Sequence, residues 1–103
     1  MEFLVEFEVN VPAEAPTDEV EYLEAAEASA AARLAEQGHL VRLWKLPTAR
    51  GQTKAVGLYR AGSTAELDGL LDALPLADWM HVTVTQLAAH PNDPVAAAAA
   101  SAA

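Results

Sequence analysis

An α+β fold, with a four-stranded antiparallel sheet and two helices on one face, is what this 103-residue chain predicts. Three observations carry the prediction. The opening segment alternates apolar and polar residues with the period of a strand. Two later segments place apolar residues at helical spacing. The elements follow one another as strand, helix, strand, strand, helix, strand.

The first strand spans residues 2–11, with Phe3, Val5, Phe7, Val9 and Val11 on one face and Glu2, Leu4, Glu6, Glu8 and Asn10 on the other. Pro12 ends it, and Ala13 to Pro16 form a loop. Thr17 or Asp18 is placed to cap the first helix, and Asp18-x-x-Glu21 has capping-box spacing. That helix runs through an alanine-rich stretch to Gln37, where Gly38 supplies the stop. His39 to Leu46 reads as the second strand and Thr53 to Arg60 as the third, with Pro47 and Gly51 bracketing the turn between them. Ser63 and Glu66 mark the start of the second helix, whose stripe is Leu67, Leu70, Leu71 and Leu74. Pro75 disfavours helical geometry at the residue before it and ends that helix. Met80 to Ala88 is the fourth strand.

The order βαββαβ is the ferredoxin-like plan. It occupies residues 1–92 as one domain, and residues 93–103 form an alanine-rich tail too short to hold as an isolated helix, expected to be disordered. Both helices cover the same face, so the other face of the sheet is open. That face keeps Leu4 and the apolar character of the later strands, which predicts a homo-oligomer with its pocket near an interface.

Composition excludes several classes of function. A formal net charge of −9 argues against nucleic acid and anionic membrane surfaces as partners. No cysteine is present for a disulfide or a thiolate metal site, and the three histidines (His39, His81, His90) lack ligand spacing, so no metal or other cofactor is expected. Neither a signal peptide nor a membrane span is legible, which makes the cytoplasm the expected location. The charge is unevenly spread: ten of the fifteen acids lie in residues 1–36, whereas Arg42, Lys45, Arg50, Lys54 and Arg60 fall in a stretch free of acids. A cationic hairpin in an acidic chain suits a small carboxylate ligand, although any one of these groups can equally pair with an acid elsewhere.

One carboxylate is out of place. Glu27 lies on the apolar stripe Val20, Leu23, Glu27, Ala30, Leu34 of the first helix. A carboxylate facing a core or cavity is disfavoured in its charged form, so its pKa is expected to rise toward the range of a base that can also return its proton. The competing readings are a solvated position at the margin of the stripe and a structural ion pair with Arg42 or Lys45. In the catalytic reading Glu27 moves the proton, Arg42 and Lys45 hold carboxylate and enolate charge, and Trp44 and Trp79 wall the pocket.

The residues also resemble a family. Phe3-Leu4-Val5 leading to Val11-Pro12, Ala26-Glu27 leading to Arg33-Leu34 and Gly38, then Leu43-Trp44-Lys45, Ser63, Leu74-Pro75-Leu76-x-x-x-Met80 and His90-Pro91 resemble the muconolactone delta-isomerases. The resemblance covers residues 1–92 and implies a ferredoxin-like enzyme assembled from dimers into a decamer. It implies a cofactor-free reaction, muconolactone to 3-oxoadipate enol-lactone, in the β-ketoadipate pathway of aromatic catabolism. A relative in the family removes chloride from a chlorinated muconolactone. Glu27 matches the family's helix carboxylate. The chain departs from the pattern at Arg42, where the family commonly has histidine, at Lys45 for arginine, and at Ala55 for asparagine. It departs again at Asp68 for histidine, in the reduced aromatic stretch Ala77-Asp78-Trp79, and at Glu6 and Glu8 for basic residues. Lysine can hold a carboxylate as a point charge without arginine's two-pronged grip. These departures leave open a different acidic lactone as substrate, or a ligand-binding role on the same scaffold.

Overall fold

Period-two alternation sets the sheet. β1 (Glu2–Val9) pairs antiparallel with both β3 (Thr53–Arg60) and β4 (Met80–Leu87), and β2 (Leu40–Leu46) pairs antiparallel with β3, giving the order β2-β3-β1-β4. The structure is a computed structural model and describes residues 1–49 and 52–95. Arg50 and most of the alanine tail, 96–103, lie outside the described residues. In the centre of the sheet β1 turns Phe3, Val5 and Phe7 toward the helices, where all three are buried. Its strand ends at Val9 rather than Val11, and Asn10 N–H bonds Trp79 O at 2.8 Å one step past the last β1–β4 pair, Val9 and Met80.

α1 (Thr17–Glu36) crosses the sheet and buries Ala30 and Leu34. Its N-cap is Pro16, with φ −61° and ψ 141°, and no side chain caps it. The capping box anticipated at Asp18 and Glu21 does not form, since Thr17 and Asp18 already lie inside the first helical turn. The far end closes as anticipated. Gly38, at φ 81°, takes the left-handed conformation, so Gly38 N–H reaches Ala35 O at 3.1 Å and His39 N–H reaches Leu34 O at 2.9 Å.

α2 (Thr64–Asp72) is capped by Ser63, whose Oγ accepts from Glu66 N–H at 3.0 Å, while Glu66 reaches back to Gly62 N–H at 3.3 Å. It buries Leu67 and Leu71 against the strands. Pro75 ends it early: with no N–H and a ring that crowds the preceding turn, proline cannot continue the ladder. The chain passes instead through Leu74-Pro75-Leu76 into a short 3-10 turn at Ala77–Trp79, which sequence spacing did not announce.

The face away from the helices carries half-buried Leu4, Val56 and Leu58 beside exposed Trp44 and Leu46. No helix among the described residues is long and apolar enough to cross a membrane.

Candidate active site

Where α1 passes over the sheet it does not close down on it. Between helix and strands lies a cavity of about 290 Å³, near the lower end of the roughly 300–1,000 Å³ that small-ligand pockets occupy. Phe7 and Val9 of β1, Ala55 and Tyr59 of β3, Leu43 of β2, Met80 of β4 and the pair Leu74 and Leu76 wall it with apolar surface. α1 contributes Glu24, Glu27, Ala28 and Ala31. The alanines leave the space that larger side chains on the same helix face fill further along, at Leu34.

Glu27 is half-buried at this wall. Its Oε1 accepts a hydrogen bond from Leu76 N–H at 2.9 Å, which ties the helix to the segment after α2, 49 residues away. The sequence explains the donor. Pro75 breaks the helical run, so Leu76 N–H has no carbonyl four residues back to bond and turns to the carboxylate. Among the described residues Glu27 forms no ion pair, since the salt bridges there are His39–Glu66 and Arg60–Glu2. The structural ion pair weighed from sequence is therefore not formed with Arg42 or Lys45.

Of the other four anticipated site residues, the structure brings one to this side of the sheet. A bulge in β2 decides which. Leu40 pairs with Tyr59 and Arg42 with Leu58, so Val41 is an extra residue in the strand. An uninterrupted alternation from Leu40 would have turned Arg42 and Trp44 toward α1. The added residue reverses the phase, and Leu43 and Lys45, opposite Gly57 and Ala55, take the helix side instead. Arg42 and Trp44 thus lie on the open face of the sheet, with the guanidinium 4.9 Å from the indole ring centroid. In this protomer neither lines the cavity. Lys45 stands on the cavity side, opposite cavity-lining Ala55, with its side chain exposed beyond the wall. Trp79 also stands apart from the cavity in this protomer. The 3-10 turn carries it to a separate depression with Glu19, Leu23, Pro75 and Asp78, on the first turns of α1.

Two groups at the cavity went unread in the sequence: the Leu76 amide, which no side-chain pattern reveals, and Tyr59. Tyr59 is 3% exposed and lines the cavity, its ring 6.0 Å from that of Phe7. Burial first, and the Glu27 carboxylate second, push its phenol up to about 12. The available signal was strand phase, since Ala55, Gly57 and Tyr59 fall on one face of β3.

A family model described as muconolactone delta-isomerase matches residues 1–93. The chain belongs to the muconolactone delta-isomerase family. With that membership it is an enzyme and an isomerase. It is 32% identical to muconolactone delta-isomerase 1 of Acinetobacter lwoffii over 92 residues, covering 89% of this chain and 93% of that one. It is 33% identical to the muconolactone delta-isomerase of Cupriavidus pinatubonensis, covering 89% and 97%. The crystal structure of a muconolactone isomerase superposes with a TM-score of 0.79 at 26% identity, over 91% of this chain and 95% of that one. A 5-chloro-2-hydroxyhydroquinone dehydrochlorinase from Burkholderia phenoliruptrix shares the fold, with a TM-score of 0.65 at 14% identity over 90% of this chain and 99% of that one.

Proposed function

We propose that this isomerase shifts the double bond of muconolactone, a step of aromatic catabolism in the cytoplasm, and that Glu27 carries the proton. The observation that supports it is a carboxylate fixed by the Leu76 amide at the wall of a mostly apolar cavity of about 290 Å³. In the substrate, the C–H bond γ to the lactone carbonyl is activated through the conjugated C=C. Glu27 takes that proton, and the electron pair moves through the C=C onto the carbonyl oxygen, forming a dienolate. The carbonyl re-forms as the α-carbon takes the proton back from the Glu27 carboxylic acid. One proton leaves and one returns, with no net oxidation. A single carboxylate suffices if it reaches both carbons of a flat ring. Apolar walls keep water from quenching the dienolate.

Lys45 is assigned the substrate's side-chain carboxylate. It is on the cavity side of β2, and an exposed ammonium at the rim can meet a carboxylate without being desolvated. Lys45→Gln is expected to raise KM by about tenfold with kcat little changed, read in steady-state assays. An unchanged KM removes Lys45 from the site. The experiment for the reaction itself is the absorbance assay on synthetic muconolactone, wild type beside Glu27→Gln. A wild type without turnover would shift the reading to another acidic lactone. Ala55 favours that second reading to a degree, because it gives the cavity no polar group where the family commonly has asparagine.

The open sheet face supports assembly into a homo-oligomer, of dimers building toward a decamer. Trp44, 42% exposed beneath the Arg42 guanidinium and beside Leu46 and Val56, is the kind of aromatic anchor that interfaces bury. Light scattering at micromolar protomer is expected to give a mass of several 10.9 kDa chains, and Trp44→Glu to lower it. A monodisperse wild-type monomer ends this part of the proposal.

A further inference from the structure

With Arg42 on the far face of the sheet and Lys45 beyond the cavity wall, no cation among the described residues lines the cavity to meet the charge that develops on the lactone oxygen. Of the residues that do line it, Glu24, Glu27 and Tyr59 alone have polar side chains, and only tyrosine can donate a hydrogen bond while the carboxylates are charged. We infer that Tyr59 is a further catalytic residue: its phenol O–H hydrogen-bonds the lactone carbonyl oxygen and stabilises the dienolate that Glu27 creates. This rests on the reaction proposed above.

The placement of the ring is built into β3. Gly57, two residues before Tyr59 on the same face, is buried, and a Cβ there would stand 2.6 Å from Tyr59 Cε1 and 3.2 Å from Cδ1. The aromatic ring therefore lies over the glycine and runs along the strand toward Ala55. Ala55 lines the cavity and is small enough to leave room at the ring's far edge. Phe7 braces the ring from the neighbouring strand at 6.0 Å. A ring held this way has little freedom to lose when it meets a substrate, which is what an effective donor to a developing oxyanion requires. Among the described residues the hydroxyl has no hydrogen-bond partner, nor is it a sealed, unsatisfied polar atom. The protein thus brings a buried aromatic to the cavity and leaves its donor unused.

The chemistry agrees with the surroundings. The Glu27 charge and the apolar walls both favour the neutral phenol, so the proton is present on Tyr59 throughout the physiological range. When Glu27 removes the γ-proton, the negative charge leaves the carboxylate and reappears on the lactone oxygen. The phenol's dipole then faces the new charge without transferring its proton. The bond strengthens in the dienolate relative to the ground-state carbonyl, so it accelerates the reaction more than it tightens binding. When the α-carbon is protonated, the electrons return to the ring and the phenol relaxes. No co-reactant is needed.

Tyr59→Phe keeps the ring and its contact with Phe7 while deleting the donor. It is expected to lower kcat by about 10²-fold, as loss of one oxyanion donor does, with KM little changed and the fold retained by circular dichroism. An unchanged kcat overturns the inference; with Glu27→Gln inactive in the same assay, the proton-transfer reading survives that result. A second measurement does not depend on turnover. The probe is the saturated analogue of muconolactone, a five-membered lactone bearing the same acetate arm with no C=C to shift, labelled with ¹³C at the ring carbonyl. Its carbonyl stretch, bound to wild type, is expected at lower wavenumber than when bound to Tyr59→Phe. The same frequency in both proteins overturns the inference. A Tyr59-dependent shift in a wild type that does not turn muconolactone over keeps Tyr59 as the carbonyl donor and rejects muconolactone as substrate.

Discussion

Glu27→Gln is expected to lose activity by about 10⁴-fold in kcat, the upper end of what a general base contributes, with the protein still folded. Glutamine is nearly isosteric with glutamate, and its amide oxygen can accept the Leu76 N–H bond now made at 2.9 Å. The link between α1 and the segment after α2 is therefore kept, and what is lost is a group that can take a proton from carbon. The other carboxylate at the cavity is Glu24, which is exposed at its rim one helical turn away. If it substituted for Glu27, the variant would keep more than a tenth of the wild-type rate, and that result would remove Glu27 from the mechanism. The double substitution of Glu24 and Glu27 would then show which acid shuttles the proton.

Glu27 was legible in the sequence for a physical reason. A helix has a fixed angle per residue, so one carboxylate among Leu23, Ala30 and Leu34 is placed on the inner face by arithmetic. The alternation of β1 was legible in the same way, and so was Gly38, whose positive φ is the stop that the glycine announces. The cations and the tryptophans were not. A strand assigns faces by counting in twos, and one extra residue at Val41 reverses every later assignment in β2. Nothing in Leu40-Val41-Arg42 announces a bulge, so Trp44 and Lys45 could not be sorted between faces from sequence. Trp79 escaped for a related reason. Its direction depends on the 3-10 turn after Pro75, and a break in helical periodicity does not say which way the next side chain points. The Leu76 amide is a backbone group freed by a neighbouring proline and held by a side chain 49 residues away, which only the folded chain can show.

The largest effect on stability is expected from Leu67→Ala. Leu67 is fully buried, 0% exposed, on the inner face of α2, in one core cluster with Phe3 and Val5 of the central strand. Truncating a leucine in such a place removes the transfer free energy of its methyl groups and leaves a void that a well-packed core fills only in part, costing about 3 kcal/mol. For a domain of this length that corresponds to a fall in Tm of roughly 15 °C, measured at one fixed protomer concentration because assembly also stabilises the chain. Asp68→Ala, the neighbouring position on the exposed side of α2, is the control and is expected to change Tm by only a degree or two. Activity should respond differently from stability. α2 leads directly into Leu74-Pro75-Leu76, yet the turn there has its own hydrogen bonds, Ala77 N–H to Leu74 O at 3.0 Å and Trp79 N–H to Leu76 O at 2.9 Å. Those bonds hold the Leu76 amide toward Glu27 as long as the sheet and α1 stay folded. Well below its lowered Tm, Leu67→Ala should therefore retain most of the wild-type kcat, and lose it only as the folded fraction falls. A kcat depressed at low temperature in a fully folded variant would instead mean that the seating of α2, and not the turn alone, positions the carboxylate.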